Sequence, residues 1–262
     1  MDRCARLNNV GASHLANGMY SDAIDSFTGS LRIVKSALSV LATEKHVLHM
    51  NGPSLPSQHS GVMQEQNVCP VIFTRDSIAA YGGAMAKPPS FVDRDKAALV
   101  RGLYVSPLFL SESVDYARYE TTVEASVAVM FNLALAHHLN SLLHRLHGHK
   151  DHEMSNHSQR TPGVSTLGQA TALYELAYTV HMQEDVELSV EFTMAIINNL
   201  GHTHRLMGDK EKADQCFRHL LSTILFVRSY GGGQSCDNGR LPDIFVYSVS
   251  HLILRETAAA AA

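Results

Sequence analysis

One spacing in this chain occurs twice. Leu7, Val10, Gly11, His14, Gly18, Ala23 and Phe27 near the start are matched near the end by Ile197, Leu200, Gly201, His204, Gly208, Ala213 and Phe217, at identical offsets. Such self-similarity is the mark of a repeat architecture, in which each unit buries its apolar face only against its neighbours. Gly18 and Gly208 divide each copy into two stretches, which read as successive helices. Gly11 and Gly201 would let the second helix come close to the first. Ala23 and Ala213 would present the reciprocal shallow surface, and Phe27 and Phe217 would fill the space between. Gly18 and Gly208 fall where the first helix must end, since glycine enters the left-handed region without steric penalty, and Asp209 stands ready to cap the next helix.

A third copy emerges once an interruption is allowed. Met130, Leu133, Ala134 and His137 match the first helix, and Ala170, Tyr174 and Ala177 the second; 36 positions separate Ala134 from Ala170, against 12 from Gly11 to Ala23, an insertion of 24 residues at the turn. Stretching a turn this far should cost about 2 kcal/mol, comparable to the gain from burying one large apolar side chain, so helix pairing can survive it.

These spacings resemble the tetratricopeptide repeat over about 35 residues in each copy. The resemblance implies an all-α fold, with antiparallel helix pairs stacked as a superhelix and a small extended or β-hairpin insertion. It also implies a function: a non-catalytic protein–protein interaction adaptor or scaffold, holding a partner segment on a concave face lined by the first helix of each pair. Carried over position by position, the groove would be lined by Asn8, Ala12 and Leu15, then Phe131, Leu135 and His138, then Asn198, His202 and Arg205. Asn132 matches an asparagine that grips a terminal carboxylate in one well-known groove of the family. Ala12, Ala195 and Asn199 stand where basic or amide groups would complete that clamp, which argues against a chaperone carboxylate ligand. The run from Phe131 to Leu139 further resembles repeat-like microalgal (diatom-type) proteins.

The whole chain, 1–262, reads as a single domain, with helix pairs over about 3–50, 115–182 and 184–229 and a capping helix over about 242–256 beginning near Pro242. Leu31, Val34, Leu38 and Leu41 continue the series of Ile24 and Phe27, so the second helix is long and should stop at Asn51-Gly52-Pro53. A flexible loop is expected over 51–69 and an extended or hairpin insertion over 70–112, where Val71 to Phe73 and Leu103 to Leu110 are β-branched, aromatic or leucine-rich. A His-rich polar insertion should occupy 145–163, and the alanines from Ala258 to Ala262 should fray.

Composition narrows the partners. Net charge is -4 and Lys and Arg are scattered, so no basic stripe is present to neutralise phosphates, and nucleic acid is not expected. No stretch approaches the ~20 apolar residues of a membrane span and no signal peptide is legible, so the expected setting is intracellular, cytoplasmic or nuclear, with no membrane partner. Cys4, Cys69, Cys216 and Cys236 are far apart, without metal-binding or redox spacing, and read as buried or free thiols.

Of 16 histidines, seven lie between His137 and His157. His152-Glu153 and His157 resemble a zinc-protease motif, but the histidines are five apart, a rotation of ~500° on a helix, so they do not share a face. His144, His147, His149 and His152 could chelate zinc, yet no cysteine or carboxylate spacing completes a tetrahedral site, so no metal and no cofactor are expected. His14, His137 and His204 share one repeat position and should pack between helices. Gly231 to Cys236 lacks the Lys-Ser or Lys-Thr of a phosphate cradle and reads as a loop, and Asn156-His157-Ser158 reads as an unmodified acceptor sequence. No catalytic residues emerge. Two alternatives to the adaptor are a His-rich metal-binding protein and a homo-oligomer assembled through the seam Ile24, Phe27, Leu31, Val34, Leu38 and Leu41.

Overall fold

The computed structural model describes residues 2–51, 72–73, 102–112, 117–148, 162–184, 189–230 and 243–260. The fold is all-α. Its helices are α1 (Asp2–Ala16), α2 (Tyr20–Asn51), α3 (Tyr119–Gly148), α4 (Pro162–Gln183), α5 (Val190–Met207), α6 (Lys210–Tyr230) and α7 (Asp243–Ala260). They pack as neighbouring pairs, α1 on α2, α3 on α4 and α5 on α6; α2 also packs on α3 and α4 on α5, so the pairs stack in chain order and α7 closes the end against α6 and α5. The two runs read as extended do meet: β1 (Ile72–Phe73) lies antiparallel to β2 (Phe109–Leu110), with Ile72 opposite Leu110 and Phe73 opposite Phe109.

The small residues sit where close helix approach demands them. A Cβ added to Gly11 would stand 2.7 Å from Cε1 of Phe27, and one added to Gly201 would stand 3.0 Å from Cε1 of Phe217 and 3.1 Å from Cβ of Cys216. Ala23, Phe27, Ala134, Ala170, Tyr174, Ala213 and Phe217 are all buried. In the middle copy, Ala134 and Tyr174 replace the glycine and phenylalanine of the outer copies.

The turns repeat as closely as the packing. Gly18 (φ +76°) and Gly208 (φ +87°) both occupy the left-handed region. The amide after each reaches back to the repeat histidine, Met19 N–H donating to His14 O and Asp209 N–H to His204 O, both at 2.9 Å. Asp209 Oδ1 then accepts from Lys212 N–H at 3.2 Å, the cap expected for the next helix.

Some boundaries differ from expectation. Leu139 and Leu142 are still buried, and that packing carries α3 to Gly148 where a polar insertion was expected from 145. α4 starts at Pro162, a residue suited to a first helical turn. α7 runs on to Ala260 instead of ending near 256, in keeping with the high helix propensity of alanine. Asn51, where the loop expected over 51–69 was to begin, is the last residue of α2; the rest of that loop, Gly231 to Cys236, Asn156, Cys69 and Cys236 lie outside the described residues. Cys4 is buried and Cys216 partly so, both as free thiols.

The apolar stripe of α2 is used within the molecule. Phe27 and Val34 are fully buried, and Ile24, Leu31 and Leu38 pack against the same core. One helix among the described residues, spanning Tyr119–Leu146, is long and apolar enough to cross a membrane by length and composition; 83% of its apolar window is buried against the rest of the fold.

Candidate functional site

Asn9, Asn132 and Asn199 stand at one repeat position, each two residues before the small residue that admits the second helix: Gly11, Ala134 and Gly201. Such polar side chains on the inner face of a helix stack need partners, because burying an unpaired amide is unfavourable. The partners are the main chain of residues 102–110 of the same molecule, laid across the first helices.

Each asparagine binds this segment in the same way, accepting from a backbone N–H and donating to the C=O of that same residue. Asn199 Oδ1 accepts from Tyr104 N–H and its Nδ2 donates to Tyr104 O, both at 2.9 Å. Asn132 does so with Leu108, at 2.8 and 2.7 Å, and Asn9 with Leu110, at 2.8 and 2.9 Å. The preceding asparagines of the outer copies reinforce the ladder. Asn8 Nδ2 donates to Leu108 O at 2.9 Å while its Oδ1 accepts from Asn132 Nδ2 at 2.9 Å, and Asn198 Nδ2 donates to Gly102 O at 2.7 Å.

All the bound residues, 102, 104, 108 and 110, have the same parity. In an extended chain the N–H and C=O of alternate residues point to one edge, so the asparagines read a single edge of the segment. Pro107, which has no N–H to offer, falls on the other parity and leaves the ladder intact. Around the ladder the segment is anchored by side chains, Leu103, Leu108 and Leu110 being buried in the main core. Tyr104 stacks on Phe245 of α7, with centroids 5.8 Å apart and planes 6° from parallel, and meets Phe131 edge-on at 6.2 Å. The start of the segment is clamped by α7, since Ser248 Oγ donates to Gly102 O at 2.9 Å.

Of the positions expected to line the groove, Asn8, Phe131, Asn132 and Asn198 meet this segment. Leu15 is buried in the core. His138 and His202 are buried beside one another, with ring centroids 5.8 Å apart, and His138 also abuts Tyr174 at 6.2 Å. Arg205 is exposed and turned toward α6, its guanidinium 5.4 Å from the ring centre of Phe217, where that aromatic face attracts the cation. Asn9 and Ser248 were not among the expected groove positions, and Asn199 was expected only at a clamp position. The signal for the ladder was the asparagine two residues before the small residue in every copy.

Of the repeat histidines, His204 is buried and His14 and His137 are half-buried. His204 Nε2 lies 3.7 Å from Glu175 Oε1, but burial holds its pKa below the usual value, so this is a contact of a neutral imidazole with an exposed carboxylate. Burial also lowers His137, and it lowers His138 further, assisted by His202 and Arg145. Neither ring nitrogen of His138 has a hydrogen-bond partner among the described residues. These imidazoles are neutral when folded, whereas the unfolded chain takes up their protons near the ordinary histidine pKa of about 6.5. Their contribution is therefore complete above that pH and is lost as the pH falls below it. Thermal unfolding followed by circular dichroism should show the melting temperature falling between pH 7.5 and 5.5, with a shallower fall for His138→Leu. Equal slopes would remove His138 as a cause.

Among the described residues no group of three or more His, Cys, Asp or Glu side chains comes together; His149, His152 and His157 lie outside them. The described residues of the groove offer neutral amides, one hydroxyl and aromatic faces, groups that can hold a peptide main chain and its side chains. Comparison of the chain with protein-family models, with curated proteins and with solved structures finds no match.

Proposed function

We propose that this protein is a helical-repeat adaptor, of the tetratricopeptide kind its spacing resembles, that takes an extended segment of a partner protein along its first helices. The observation that carries the reading is the asparagine ladder: one residue type, at one position of three repeat copies, makes one bidentate contact with an extended main chain. Main-chain amides are common to every peptide, so a repeated reader of them is a general means of holding extended chain. In the present structure that chain is the protein's own residues 102–110, and a partner segment would take their place.

Affinity recovery from the cells that make the protein tests this, with the full-length chain and an Asn9→Ala, Asn199→Ala double variant as baits. Partner yield should fall at least about tenfold, as expected when several bonds worth roughly 1 kcal/mol each are removed, while the helical circular-dichroism signal persists. Undiminished recovery by the folded variant would sink the reading.

A further inference from the structure

We infer that the partner segment is extended and uncharged, with large apolar side chains at the positions now held by Leu103, Leu108 and Leu110, an aromatic ring at that of Tyr104, and free choice at that of Val105. This rests on the adaptor reading and adds to it the chemistry of the ligand. Because the asparagines contact only main chain, they set direction and register and leave selectivity to the side-chain sites.

Those sites differ sharply. Leu103, Leu108 and Leu110 are between 0% and 2% exposed, whereas Val105 is 38% exposed. Amides, a serine hydroxyl and aromatic rings of the described residues bind the segment, and residues 102–110 themselves carry no charge. A charged side chain at a buried position would lose its hydration, and the amides, hydroxyl and rings that bind the segment carry no charge to replace it.

The resident segment has a hold that an incoming one need not share. Gly102 has φ +89°, where residues with a Cβ are strained, and a Cβ there would stand 3.0 Å from Ser248 Oγ and 3.3 Å from Cδ1 of Tyr247. Gly102→Ala therefore weakens residues 102–110 at their α7 end while leaving every asparagine of the ladder in place.

The probe is a fluorescent 12-residue peptide with the sequence of residues 101–112, titrated into the full-length chain and followed by anisotropy. Gly102→Ala should bind it at least about tenfold more tightly than the unaltered chain, because apparent affinity scales with the fraction of molecules whose groove is open. Asp in place of Leu108 in the peptide should abolish binding, Asp in place of Val105 should change it by less than about twofold, and Asn132→Ala added to Gly102→Ala should abolish it. Hydrogen exchange at the amides of Tyr104, Leu108 and Leu110 reports whether the resident segment has loosened. Amides as protected in Gly102→Ala as in the unaltered chain would make the segment a fixed part of the core and overturn the inference, as would loosened amides with no peptide bound. A Leu108→Asp peptide that binds as well as its parent would overturn the side-chain pattern alone. The adaptor reading falls separately, on partner recovery that ignores Asn9 and Asn199.

Discussion

Asn132→Ala should destabilise the folded chain by about 3–5 kcal/mol, the largest loss expected from any single polar substitution among the described residues. Asn132 is fully buried, at the middle of the ladder, and uses both ends of its amide. Its removal takes the acceptor from Leu108 N–H and one of two donors from Leu108 O, and strips Asn8 Oδ1 of the Nδ2 donor it receives from Asn132. Two buried groups thus lose a hydrogen bond without any route to water, each costing about 1–3 kcal/mol, and the vacated volume adds a cavity penalty. Asn9→Ala, at a partly buried rung, should cost distinctly less. Urea unfolding of both variants is the measurement, and a loss below about 1 kcal/mol for Asn132→Ala would mean that the segment rests on its leucines alone.

Gly11→Ala should cost about 1–3 kcal/mol although alanine is the better helix former by about 1 kcal/mol, because overpacking outweighs propensity here. The new methyl would meet Phe27 Cε1 at 2.7 Å and Cδ1 at 2.8 Å, and Phe27 is itself fully buried with nowhere to retreat. Phe27→Leu alone leaves a partial void, but combined with Gly11→Ala it removes the atoms that clash. The double variant should then be at least about 1 kcal/mol more stable than the two single losses predict, as interacting neighbours show in a double-mutant cycle. Additive losses would mean that α1 and α2 separate to admit the methyl, and that the glycine is not what sets their approach.

Much of this architecture was legible because the repeat writes its packing into residue size. Gly11 with Phe27 and Gly201 with Phe217 are facing pairs whose spacing in the chain is dictated by helix geometry, so identical offsets could be read as identical contacts. The long α2 was legible for the same reason, its apolar steps running on to Leu41. The extended character of Ile72 and Phe73 and of the run Leu103 to Leu110 was legible from β-branched and aromatic content. Where the second of those runs would lie was not, because three asparagines hold it by main chain and main-chain pairing leaves no complementary side-chain pattern to find. Arg205 illustrates the opposite limit. Repeat position alone sent it to the groove, while the ring of Phe217 and access to water turn it toward α6.

The short path from the segment to α3 sets a threshold for any competitor. Leu110 is bound to Asn9, and Tyr119, where α3 begins, follows only nine positions later. A ligand tethered by so few residues acts as though present at roughly millimolar concentration. A free peptide of equal intrinsic strength would need a comparable concentration to fill half the grooves of the unaltered chain. At the micromolar levels usual for proteins, the proposed partner would have to bind about a thousandfold better than residues 102–110, or about 4 kcal/mol, or be held nearby itself. If the groove receives a partner as proposed, the tether makes it a filter against weak and passing peptides.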